Sequence, residues 1–86
     1  MAKQPRNKFE QIAAQMVKAA GYSVEYGEYE FVSTATRLIE PLVVQWYAAA
    51  EIPPPVTGTI ERWFYNRPPA WAIAFLANEK EKFLTP

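Results

Sequence analysis

Three Trp, five Tyr and five Phe in a chain of 86 residues set the hardest condition on its folding. A chain this short buries only about 60% of the surface it exposes when unfolded, so its core is too small to hide every ring. Some of these aromatics are therefore expected to face a partner or a second copy. Half of the residues are apolar, which is too rich a composition for a disordered tail. One small domain is the most that this length supports.

Composition also narrows the chemistry. Cysteine is absent, which removes disulfides, thiolate metal sites and cysteine nucleophiles together. Histidine and aspartate are absent as well. There is no Ser-His-Asp triad, no imidazole base, no histidine ligand and no aspartate-led phosphoryl transfer. Thr34, Thr36, Thr57 and Thr59 have no base beside them in a recognisable motif, so a hydroxyl nucleophile lacks support. The expectation is a protein that is not an enzyme and carries neither metal nor cofactor.

Nine basic and nine acidic residues cancel. No net field draws the chain to nucleic acid or to an acidic membrane. The charges are unevenly placed. Residues 1–20 carry Lys3, Arg6, Lys8 and Lys18 against Glu10, or +3, and residues 21–40 carry Glu25, Glu28, Glu30 and Glu40 against Arg37, or −3. Such alternation suits a self-complementary surface better than a nucleic-acid footprint. No apolar run reaches the ~20 residues that a bilayer requires, and no apolar run follows the basic opening as it does in a secretory signal. A cytoplasmic location is the default expectation.

The first helix is clearly written. Phe9, Ile12, Ala13, Met16, Val17 and Ala20 recur at helical spacing and share one face. Asn7 suits the N-cap, Glu10 completes a capping box at N3, and Gly21 suits the C′ position after a helix over 8–20. A β-hairpin is expected next. Tyr22, Val24 and Tyr26 alternate with polar residues, Gly27-Glu28 suits a type II′ turn, and Tyr29 and Phe31 continue the apolar face. That register sets Glu25 opposite Glu30. Helical periodicity resumes at Ile39, Leu42, Val43, Trp46, Tyr47 and Ala50. Because Pro41 fits only a first turn, this helix is expected to start no earlier than about Arg37 and to end at Glu51. Pro53-Pro54-Pro55 reads as a stiff spacer, and position 56, being Val, excludes a PxxP ligand. A short helix capped by Thr59 should run from Ile60 to Tyr65. A last one opens at Pro68-Pro69 and continues to about Phe83. Its first two turns hold nothing polar between Ala70 and Ala77 and need cover on all sides. Together these elements make a small single α+β domain over 8–86, behind a basic flexible arm over 1–7. Its order is an amphipathic helix, a β-hairpin, then two longer helices flanking a short one.

Lys8-Phe9-Glu10, an amphipathic helix and then Gly21-Tyr22-Ser23-Val24-Glu25-Tyr26 resemble the opening of phage junction-resolving endonucleases. The resemblance implies that Glu10 binds metal, with Glu25 or Glu30 beside it. The family's later Pro-Asp pair is missing, and Glu-x-Lys occurs only in the C-terminal run Glu79-Lys80-Glu81-Lys82. A capping role for Glu10 competes with that reading. Glu25, Glu28 and Glu30 read more simply as a solvated acidic face than as an acid–base pair or a calcium site. Arg62-Trp63-Phe64-Tyr65-Asn66-Arg67 interleaves cations and rings as single-strand binders do, and with Lys3, Arg6 and Lys8 it carries the alternative of a small nucleic-acid-binding protein. Trp63 and Phe64 also fit a core face with Ile60.

The function expected from the sequence is non-catalytic protein interaction. The chain would be a small assembly, adaptor or inhibitor component, of the kind phages encode as structural or host-modulating proteins. Its partner would be a protein or a second copy. The expected contact surface combines Trp46, Tyr47, Trp63, Phe64, Tyr65, Trp71 and Phe75.

Overall fold

A computed structural model describes residues 5–22 and 29–85 of the chain. It contains four helices, α1 (Lys8–Ala19), α2 (Tyr29–Ala49), α3 (Thr57–Tyr65) and α4 (Ala70–Leu84), and no strand among the described residues. The radius of gyration of 12.4 Å is close to the ~12 Å of a compact chain of this length. Helix α1 is the hub, packing against each of the other three, and α2 also packs against α3.

Helix α1 follows from its sequence signals. The Asn7 side chain accepts a hydrogen bond from the Glu10 backbone N–H at 2.9 Å, as an N-cap does. Phe9, Ala13, Met16 and Val17 are buried along the expected stripe, and Ala14 widens it because helices surround α1 on several sides. The helix ends in a Schellman motif. Gly21 takes φ +94°, its N–H donates to the Lys18 carbonyl, and the Tyr22 N–H reaches back to the Val17 carbonyl.

The α+β expectation is overturned. Tyr29 and Phe31, placed in the second strand of a hairpin, lie in the first turn of α2. Tyr22, expected to open the first strand, closes the Schellman motif of α1 instead, and residues 23–28, the remainder of that hairpin with its turn, lie outside the described residues. The cause is a second periodicity that outcompetes the first. Phe31, Val32, Ala35, Thr36, Ile39 and Val43 are all buried and follow the 3.6-residue repeat of a single helix stripe. Alternation over Tyr29 to Phe31 is too short to compete with a stripe thirteen residues long, from 31 to 43. The same stripe overrides the helix start expected near Arg37. Pro41 sits inside the 21-residue α2 rather than in its first turn. An interior proline costs about 3 kcal/mol in a helix, while each fully buried large aliphatic or Phe side chain returns ~1.5–3 kcal/mol. The stripe therefore wins. Pro41 and Arg37 are both exposed, so the carbonyl left without its N–H partner lies on the solvent side.

Helix α2 ends in a second Schellman motif, with Glu51 at φ +60° where α1 uses glycine. The Glu51 N–H donates to the Ala48 carbonyl and the Ile52 N–H to the Tyr47 carbonyl. After the prolines, α3 begins at Thr57 with Val56 at its N-cap, three residues before the expected start, and Thr59 is inside the helix rather than capping it. The Thr57 hydroxyl instead donates to a Glu40 carboxylate oxygen, tying the start of α3 to α2. Ile60, Trp63 and Phe64 are its buried face. Pro69 is the N-cap of α4, not its first residue, and the buried line of this helix runs through Ala72 and Leu76.

Candidate functional site

Eight of the described aromatic residues form a connected series that starts in the core and ends at the surface. Phe31 meets Phe64 edge-on at 6.1 Å between ring centroids, and Phe64 meets Phe9 edge-on at 5.0 Å. Phe9 meets Trp63 at 5.5 Å, and Trp63 meets Trp71 at 5.4 Å with the rings nearly perpendicular. Trp71 then stacks on Trp46, 5.1 Å apart and 17° from parallel, and Trp46 also contacts Phe75 and Tyr47 at 5.3 and 5.6 Å. Offset and edge-to-face geometries of this kind contribute ~0.5–1.5 kcal/mol per pair beyond area burial.

Burial sorts these residues into roles. Phe64 is fully buried and Trp63 is 7% exposed, so they support the surface from beneath. Trp46 and Trp71 remain 45% and 37% exposed although they stack on each other, and Tyr47 and Phe75 are half-buried beside them. These four residues come from the C-terminal end of α2 and the N-terminal half of α4. Trp46 lies three residues beyond Val43 and seven beyond Ile39, on the buried stripe of α2 but past the point where other helices cover it. The first turns of α4 supply the cover that remains.

Tyr65 faces a different direction. Its ring lies 4.3 Å from the Arg6 guanidinium, and both line an open groove of about 540 Å³ with Asn7, Asn66, Arg67, Pro68 and Ile73. Arg6 is committed elsewhere as well. Its backbone N–H and guanidinium hold both oxygens of Glu10, at 2.7 Å and 3.1 Å, and the Glu10 side chain is completely buried. The reciprocal bond of the capping box, expected at the Asn7 N–H, thus falls one residue earlier. Glu10 has no exposed oxygen for a metal ion, and no group of acidic residues among the described ones is arranged to hold a cation. Glu25 and Glu28 lie outside the described residues. Within the groove, Arg67 has no ion-pair partner among the described residues, and the Arg6 cation already covers one face of the Tyr65 ring.

One residue does more than its sequence position announces. Asn7 caps α1 through its carbonyl oxygen, and its amide nitrogen donates to the backbone carbonyls of Trp63, Phe64 and Asn66 at 3.1, 3.3 and 3.1 Å. It therefore locks the end of α3, and with it the Trp63 that supports the exposed rings. The N-cap signal was readable in the sequence; a partner 56 to 59 residues away leaves no local trace.

No described helix is long and apolar enough to cross a membrane. No protein-family model, no curated protein and no solved structure matches this chain.

Proposed function

We propose that the chain is a non-catalytic protein-interaction module, an assembly, adaptor or inhibitor component, whose contact surface is Trp46, Tyr47, Trp71 and Phe75. One observation carries the reading. Two partly exposed tryptophans lie stacked at the surface, pinned from below by a buried third. Rings fixed by neighbours lose little side-chain entropy when a partner covers them, which is the condition for a binding hot spot. Trp and Tyr are also the residues most enriched at such positions. Nucleic-acid contact through the Arg6–Arg67 groove is less favoured, because the Glu10 carboxylate neutralises one of its two cations.

Site-specific photo-crosslinking in the producing cell tests this. A photoreactive phenylalanine analogue at position 71 should link the chain to protein. The same analogue at position 22, where Tyr22 is 56% exposed at the C-terminal end of α1 and is not one of the patch residues, should not. Equal yields at both positions, or none at position 71, would refute the assignment.

A further inference from the structure

Beside the aromatic patch lies a segment with the chemistry of its ligand. Ile52, Pro53 and Pro54 each precede a proline, which drives all three toward polyproline II backbone, and Val56 continues it at φ −72°, ψ 158°. Three successive residues lack an N–H, and Ile52 and Val56 are 49% and 72% exposed, with Pro53 and Pro54 exposed between them. The PxxP spacing is absent, but a run of prolines offers an aromatic-lined surface the same preformed helix, which loses little entropy when its rings pack on indoles and phenols.

We propose that the partner is a second copy of this chain, each copy laying Pro53-Pro54-Pro55 across the Trp46–Trp71 patch of the other. This rests on reading the patch as a protein-contact surface. Three features favour a second copy. The Schellman turn at Glu51 sets the proline segment immediately after the patch, the Ile52 N–H being bonded to the Tyr47 carbonyl. Ligand and receptor are thus neighbours at one end of α2, and a single two-fold axis there satisfies both contacts at once. Residues 41–60 carry Glu51 as their one charge and the whole chain is neutral, so like copies meet without strong repulsion. The exposed parts of Trp46, Trp71, Ile52, Val56 and the prolines amount to on the order of 500 Å² per copy, or about 1,000 Å² for a pair. That is the lower limit of a specific interface, and it sets the expectation of a weak, concentration-dependent dimer.

Sedimentation of the full chain across dilution, with two variants and their mixture, decides the matter. The wild type should pass from monomer to dimer as concentration rises from about 10 µM to about 1 mM, the range of weak affinities. Trp46→Gln, which removes the receptor, and the combined Pro53→Ser, Pro54→Ser, Pro55→Ser, which removes the ligand, should each weaken association by about tenfold or more. Mixed one to one, the two variants should associate again, since one of the two contacts is intact in the mixed pair. Circular dichroism checks that each variant keeps its helices, and Phe75→Ala replaces Trp46→Gln if the latter does not. A mixture no more associated than its components overturns the reciprocal contact. A wild type that stays monomeric throughout overturns self-association. Crosslinking from position 71 to a different protein would then leave the patch standing as an interaction surface.

Discussion

At the scale of single residues, Asn7 departs most from its ordinary role. At a common N-cap, Asp and Asn are nearly equivalent, and replacing either with Ala costs ~0.5–2 kcal/mol. Here the side chain is also a donor to the carbonyls of Trp63, Phe64 and Asn66. Asn7→Asp keeps the cap but turns a carboxylate oxygen toward those carbonyls. It should destabilise the fold by roughly 2–4 kcal/mol, at least as much as Asn7→Ala, because it leaves acceptors facing acceptors. Urea denaturation of both variants measures this, and an Asp variant as stable as the wild type would reduce Asn7 to a cap alone. Thr36 presents the opposite case. Its hydroxyl is buried in α2 without a hydrogen-bond partner among the described residues. Thr36→Val keeps the shape and removes the orphaned group, so stability should rise by about 1 kcal/mol, read as a higher melting temperature.

At the scale of elements, α1 was legible because every signal agreed: an apolar stripe, an N-cap and a glycine at C′. Helix α2 was legible only from about Arg37 onward, because three local rules point away from the helix as it stands. Tyr29 and Phe31 fit a strand alternation, Pro41 belongs at a helix start, and Glu51 is a poor residue for the left-handed position that ends it. Burial of the long stripe from Phe31 to Val43 overrules all three. The proline is therefore a local cost that the fold tolerates. Pro41→Ala restores an N–H for the Arg37 carbonyl and should stabilise the protein by roughly 1–3 kcal/mol, with no loss of helical signal. A destabilised alanine variant would show that the proline is a required bend. Glu51→Gly should likewise add about 0.5–1 kcal/mol, since glycine takes positive φ without strain. Failure to do so would mean that the Glu51 side chain makes an interaction worth more than that strain.

At the scale of the whole molecule, eight of the described rings lie along a gradient of burial. Phe31, Phe64 and Phe9 fill the core, Trp63 bridges outward, and Trp71, Trp46, Phe75 and Tyr47 end the series at the surface. The sequence showed which residues were aromatic and that some would remain exposed. It could not show that Trp46 and Trp71, 25 positions apart, would stack, because that depends on how α4 lies along α1. The gradient separates two properties that a uniformly buried cluster would lose together. Phe64→Ala opens a cavity at the centre and should cost ~3–5 kcal/mol. Much of the population would then unfold at moderate temperature, and any loss of association would follow from that. Trp71→Ala removes a ring already 37% exposed, so it should cost less, about 2 kcal/mol, and leave a folded protein. Association should nevertheless fall by at least tenfold in Trp71→Ala, because the stacked surface is gone. Melting curves and sedimentation on both variants separate the two effects. If Trp71→Ala costs as much stability as Phe64→Ala and leaves association unchanged, the tryptophan pair is the edge of the core and the binding surface lies elsewhere.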